Sequence, residues 1–158
     1  MIRTLLLILG CISFITVLGA ATYEHAAVVP VWTSAVPASL HMFQGEYRLA
    51  AWNFWIPVHP ITMTLLITGL IANWKTDRRN YVLVGIIGYA GVLAATFAYF
   101  VPELMSLVQS SYSATIDADL TRRALTWQSL SLVRLAFIVV LAVVLLFGLS
   151  KPVNGKLS

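Results

Sequence analysis

The chain has 158 residues, of which 59% are hydrophobic and only 10% charged, and its mean hydropathy is +0.87. A soluble domain carries roughly 25% charged and 45–50% apolar residues, so this composition excludes an ordinary soluble enzyme and points to a lipid bilayer as partner. The net charge of +4 does not imply nucleic acid, because the basic residues sit at the ends of apolar runs and form no stripe with interleaved aromatics.

Four apolar runs, at about 4–22, 50–73, 81–101 and 129–149, are each long enough to cross a hydrocarbon core of roughly 30 Å. They leave room for one membrane domain over 1–158 and for no soluble module. The expected fold is an all-α membrane protein, a four-transmembrane antiparallel helical bundle. In the first run, Arg3 followed by apolar residues and Gly19-Ala20-Ala21 has the outline of a secretory signal. A retained helix is the preferred reading, because the run is long and three further spans need a fourth packing partner. Cys11, the lone cysteine, rules out an intrachain disulfide.

The first connection, about 23–49, opens with Tyr23-Glu24-His25 and holds Pro30 and Pro37. Around Ala38–Phe43 it is expected to form a short interfacial helix, with Trp32 and Phe43 at headgroup depth. The second run carries Trp52-Asn53-Phe54-Trp55-Ile56-Pro57-Val58-His59-Pro60, an ionisable side chain between two prolines. Ionisable groups within spans are costly and commonly functional, and prolines free backbone carbonyls that something must satisfy. In the third run, Gly85, Gly88, Gly91 and Ala95 read as a close-packing seam for a neighbouring helix. The second long connection, about 102–128, starts at Pro102-Glu103 and leads helically into the fourth run through Leu120–Trp127.

Orientation follows from Lys/Arg asymmetry. Arg3, Lys75, Arg78, Arg79, Lys151 and Lys156 fall on one side, against Arg48, Arg122 and Arg123 on the other. The expectation is a multi-pass protein of a bacterial inner membrane with both termini cytoplasmic.

Helical spacing gathers the polar residues into stripes. Trp52, Trp55, His59 and Thr62 share a face of the second run; Tyr89, Thr96, Tyr99 and Glu103 share one of the third. The fourth contributes Trp127, Ser131 and Arg134, and the first ends in Tyr23, Glu24 and His25. Facing inward, these stripes line an aromatic, polar pocket at the outer end. Arg134 lies about two turns inside its span, where burial costs about 2.5–3.5 kcal/mol, so a partner is expected, Glu103 or Glu24. That pair either locks the bundle, or the guanidinium holds an anionic group of a substrate; snorkelling to the interface is the third option. His59 is a packing residue satisfying the carbonyls freed by Pro57 and Pro60, a general base, or a metal ligand with His25 and His41. The spacing of those three histidines matches no ligand signature, and no motif implies a cofactor. Trp55 and Trp127 are the tryptophans expected at the pocket, the others in interfacial belts.

A first span running into Tyr23 and Pro30, a third ending in Phe100-Val101-Pro102-Glu103-Leu104, and Trp127 followed seven residues later by Arg134 form a combined pattern. It resembles the anthrone-oxygenase-like family of small four-helix membrane proteins, over about residues 4–150. The resemblance implies the same fold, and an oxidation of an anthrone to an anthraquinone by dioxygen with no obvious metal or flavin. The family often has asparagine where Phe100 stands, and an Asn-His pair where this chain has Ser131-Leu132. A base at those positions is absent here, and His59 replaces it only if the fold brings it to the same pocket.

The resulting expectation is a cofactor-poor membrane oxidoreductase acting on a hydrophobic, aromatic or quinone-like molecule. Catalysis falls to His59, Arg134 and Glu103, and binding to Trp55, Tyr99, Trp127, Tyr23 and Glu24. The alternative is a non-enzymatic accessory or lipid-binding protein within an oligomer or a larger membrane complex.

Overall fold

The computed structural model describes residues 1–153; Lys156, one of the topology signals, lies outside them. Four long apolar helices build the protein: span one Ile2–Trp32, span two Trp52–Ala72, span three Arg79–Val108 and span four Ala118–Ser150. Consecutive spans pack side by side, and span four closes the ring on span one. Spans one and three therefore face each other across the centre.

Both the start of span one and the end of span four lie at one end of the bundle. There Arg78, in the turn between spans two and three, donates to the Lys151 carbonyl at 2.8 Å and the Thr4 hydroxyl at 3.0 Å. Asn73, from the same turn, donates to the Arg3 carbonyl at 3.0 Å. Arg78 and Asn73 are almost wholly buried by this clamp.

At the far end the helices are longer than the apolar runs suggest. Spans one, three and four have 31, 30 and 33 residues, about 45–50 Å at 1.5 Å per residue, against a hydrocarbon core of roughly 30 Å. Helix ends were expected near residues 22 and 101, ahead of Pro30 and Pro102. Both helices instead pass through their prolines. Each proline follows a π turn, Glu24–Val28 or Thr96–Phe100, and occupies the first turn of the α-helical segment beyond it. In a first turn the missing N–H removes no regular ladder bond.

Packing divides into two apolar clusters. One fills the bundle from the clamp to mid-depth with Leu7, Phe14, Val17, Leu66, Val82, Ile138 and Leu145. The other forms a cap at the far end from Val29, Trp32, Val36, Leu40, Phe100, Leu107 and Trp127. Ala38–Phe43 does form a short helix, of the 3-10 type, and it lies over this cap. Trp32, expected in the headgroup belt, is instead only 2% exposed, edge-on to Trp127 at 5.2 Å and to Phe43 at 6.2 Å. Burial wins because helical continuation past Pro30 turns the indole back over the bundle. Trp52 and Trp74 are both exposed, and each is covered by an arginine, Arg48 or Arg79.

Two glycines of span three seat leucines of span four. A Cβ at Gly85 would come within 2.5 Å of Leu145, and one at Gly88 within 2.5 Å of Leu141. Gly91 and Ala95 do not belong to this seam: Gly91 faces open space and Ala95 is exposed.

Candidate functional site

Between the two apolar clusters lies a polar layer to which every span contributes. Along span one, Glu24 falls between Val17 of the inner cluster and Val29 of the cap. Along span three, Thr96 falls between Val92 and Phe100; along span four, Ser131 and Arg134 fall between Ile138 and Trp127. Trp55 and His59 enter from the far half of span two.

The layer is bonded in two groups. In the first, Trp55 Nε1 donates to Glu24 Oε1 at 2.8 Å, and His59 stacks on Trp55 with centroids 5.4 Å apart and rings 21° from parallel. His59 Nδ1 meets the Tyr89 hydroxyl at 2.7 Å. In the second, Arg134 donates to the Ser131 hydroxyl at 2.8 Å and to the Thr96 hydroxyl at 3.0 Å, with its guanidinium carbon 4.0 Å from the Phe100 ring centre. Thr96 passes its own proton to the Val92 carbonyl at 2.7 Å, which keeps its oxygen free to accept from Arg134.

The groups are linked by field rather than by contact. Arg134 is close enough for its charge to act on both Glu24 and His59, yet no carboxylate lies within 4.0 Å of it among the described residues. Two hydroxyl dipoles and an aromatic face solvate the cation but do not neutralise it. His59 Nε2 likewise has no bond among the described residues and is not among the sealed polar atoms.

Glu103, expected beside Arg134, is not there. It makes a two-pronged ion pair with Arg123, at 2.8 and 3.0 Å, on the far surface. Tyr99 is turned outward against Phe100, and Tyr23 is 66% exposed, so neither reaches the layer. The cause is local. The π turn at Thr96–Phe100 holds one residue more than an α turn, so the stripe Tyr89, Thr96, Tyr99, Glu103 breaks after Thr96 and Phe100 takes the inward place. Trp127 does face inward, but as structure: its Nε1 donates to the Phe100 carbonyl at 2.9 Å, and its ring lies 6.0 Å from the Arg134 guanidinium.

The packing role imagined for His59, satisfying carbonyls freed by Pro57 and Pro60, gives way to its bond with Tyr89. The three-histidine metal option is not assembled. His25 bonds the Ala21 carbonyl at 2.8 Å, His41 on the short 3-10 helix lies edge-on to the exposed Tyr112, and no three His, Cys, Asp or Glu side chains converge among the described residues. An open groove of about 580 Å³ lies apart from the layer, along Thr121, Leu125 and Leu130 of span four.

Sequence reasoning set Tyr89, Thr96 and Ser131 on the right stripes without giving them roles, although a serine three residues from an intramembrane arginine is a legible signal. No family model, no curated protein and no solved structure matches the chain.

Proposed function

We propose that the polar layer binds a hydrophobic aromatic molecule bearing an acidic oxygen or an acidic C–H next to a carbonyl, and removes a proton from it. The observation that carries this reading is Arg134: a guanidinium within a membrane helix, held by neutral groups and, among the described residues, without a carboxylate in contact. Such a cation favours an anionic guest, and in a site shielded from water the attraction is stronger than in solution. Arg134 stabilises the oxyanion, His59 Nε2 accepts the proton, and Trp55, tethered by Glu24, offers the guest a flat apolar face.

With the resemblance to anthrone-oxygenase-like proteins, the proposed chemistry is oxidation by dioxygen. Loss of a proton from the anthrone methylene gives an electron-rich enolate that reduces dioxygen. Overall the CH2 becomes a carbonyl, one dioxygen is consumed and one water is released. Oxygen uptake by the detergent-purified protein with an anthrone tests this directly. His59→Ala should slow uptake by about 10²–10⁴-fold, and Arg134→Ala by about 10²–10³-fold, with the melting temperature of each variant as control. Uptake equal to that of anthrone in buffer alone refutes the reading.

A second reading, an accessory role in a larger complex, has its own support. The far loops leave Tyr47 95%, Tyr112 62% and Ile116 59% exposed, large side chains free to meet a partner protein. Co-purification of a defined subunit, lost on changing these three residues to serine, favours it.

A further inference from the structure

The groove at the start of span four is more apolar than its residue types suggest. Ile116, Leu125 and Leu130 line it and are all exposed. Thr126 and Ser129 line it too, but their hydroxyls turn back onto the helix, donating to the Arg122 and Leu125 carbonyls at 2.9 Å. What they leave for the groove is hydrocarbon. Ile116 also borders a second pocket, of about 280 Å³, and this one is polar, with Ser110, Ser113, Thr115 and Asp117 around it. An apolar trough and a hydroxyl-lined pocket therefore meet at one side chain.

Charge is placed at that junction. Arg122 lines the trough and is paired with Asp119 through Nη2 alone, so its Nε and Nη1 have no bond among the described residues. Asp117 caps span four through Oδ1, which accepts from the Asp119 and Leu120 amides at 2.8 and 2.9 Å; its Oδ2 has no bond among the described residues. Arg123, next in the chain, is closed by Glu103. The depth is that of a lipid. The apolar run 129–149 covers about 30 Å, the hydrocarbon thickness, so Leu130 lies at the core boundary and Arg122 about 10 Å beyond, at the rim of the headgroup layer.

The geometry points to a binding site for one phospholipid whose phosphate is followed by a primary ammonium, an ethanolamine-type head. An acyl chain lies along Leu125 and Leu130, Arg122 binds the phosphate, and the ammonium donates to Asp117 in the hydroxyl-lined pocket. A head that is only anionic brings its charge against Asp117 and Asp119, and a trimethylated head has no N–H to donate. No residue of this site belongs to the polar layer, so it stands apart from the proton-transfer reading.

The test is native mass spectrometry of the full chain, delipidated in detergent and mixed with equal amounts of phosphatidylethanolamine, phosphatidylglycerol and phosphatidylcholine of the same acyl chains. The ethanolamine lipid should be retained about fivefold over each of the others, the worth of one charge-assisted hydrogen bond at an exposed site. Asp117→Asn keeps a good helix cap and should erase that preference. Arg122→Gln should weaken all three lipids alike, by about fivefold. Leu125→Trp fills the trough and should abolish retention, whereas Ile87→Trp, on an exposed position of span three, should leave it unchanged. Equal retention of the three lipids, a preference for phosphatidylglycerol, or L125W behaving as I87W overturns the proposal. So does a dimer that L125W separates with no lipid lost, which assigns the trough to a second copy of the chain.

Discussion

A cation inside a membrane bundle is stabilised by dipoles that solvate it and by a counter-charge that cancels it. Arg134 has the dipoles of Ser131 and Thr96, while Glu24, the carboxylate whose charge acts on it, is bonded to Trp55 and not to the guanidinium. Glu24 therefore competes with any anionic guest for the field of Arg134. Removing its charge while keeping the acceptor for Trp55, as Glu24→Gln does, should tighten binding of an anionic aromatic by about fivefold, roughly 1 kcal/mol for two separated charges in a partly polar site. Quenching of tryptophan fluorescence on titration reads this; weaker binding in the variant would show that Glu24 touches the guest. Glu103→Gln should leave the same titration unmoved, because its partner is Arg123. Being a surface pair, it should cost about 0.2–1 kcal/mol of stability.

At the scale of the element, the two π turns explain why some of the site was legible and some was not. Trp55, His59 and Thr62 fall on one α-helical stripe, with Trp55 and His59 half-buried and Thr62 fully buried. In span three the same arithmetic carries as far as Thr96 and then fails, because no residue pattern announced the extra residue at Thr96–Phe100. Small residues were legible as a seam, but periodicity did not tell which of them meet a neighbour. Gly88→Leu should cost more than the about 1–3 kcal/mol typical of overpacking, since even a Cβ there runs into Leu141. Gly91→Ala has room and removes a flexible residue from a helix, so it should be neutral or stabilising by about 0.5–1 kcal/mol. Melting of the two variants in the same detergent separates them; equal losses would mean that the seam runs along both positions.

For the whole molecule, hydropathy was enough to give four spans, since the bilayer fixes their minimum length and leaves the backbone few alternatives. It could not give the cap, where Trp32 and Trp127 bury each other through a contact 95 residues apart in the chain. The charge asymmetry also translates into an experiment. With Cys11 replaced by alanine, a single cysteine at Ser111 should react with a membrane-impermeant maleimide added to intact cells, and one at Lys75 should not. The reverse pattern would invert the proposed orientation. The clamp at the other end has a consequence for assembly. One guanidinium, Arg78, grips both the first turn of span one and the residue that follows span four. A nascent chain that has not yet delivered Lys151 leaves that donor open at the membrane surface, so the fourfold ring is latched only by its last helix. Arrival of the fourth span and latching of the bundle are in this sense a single event.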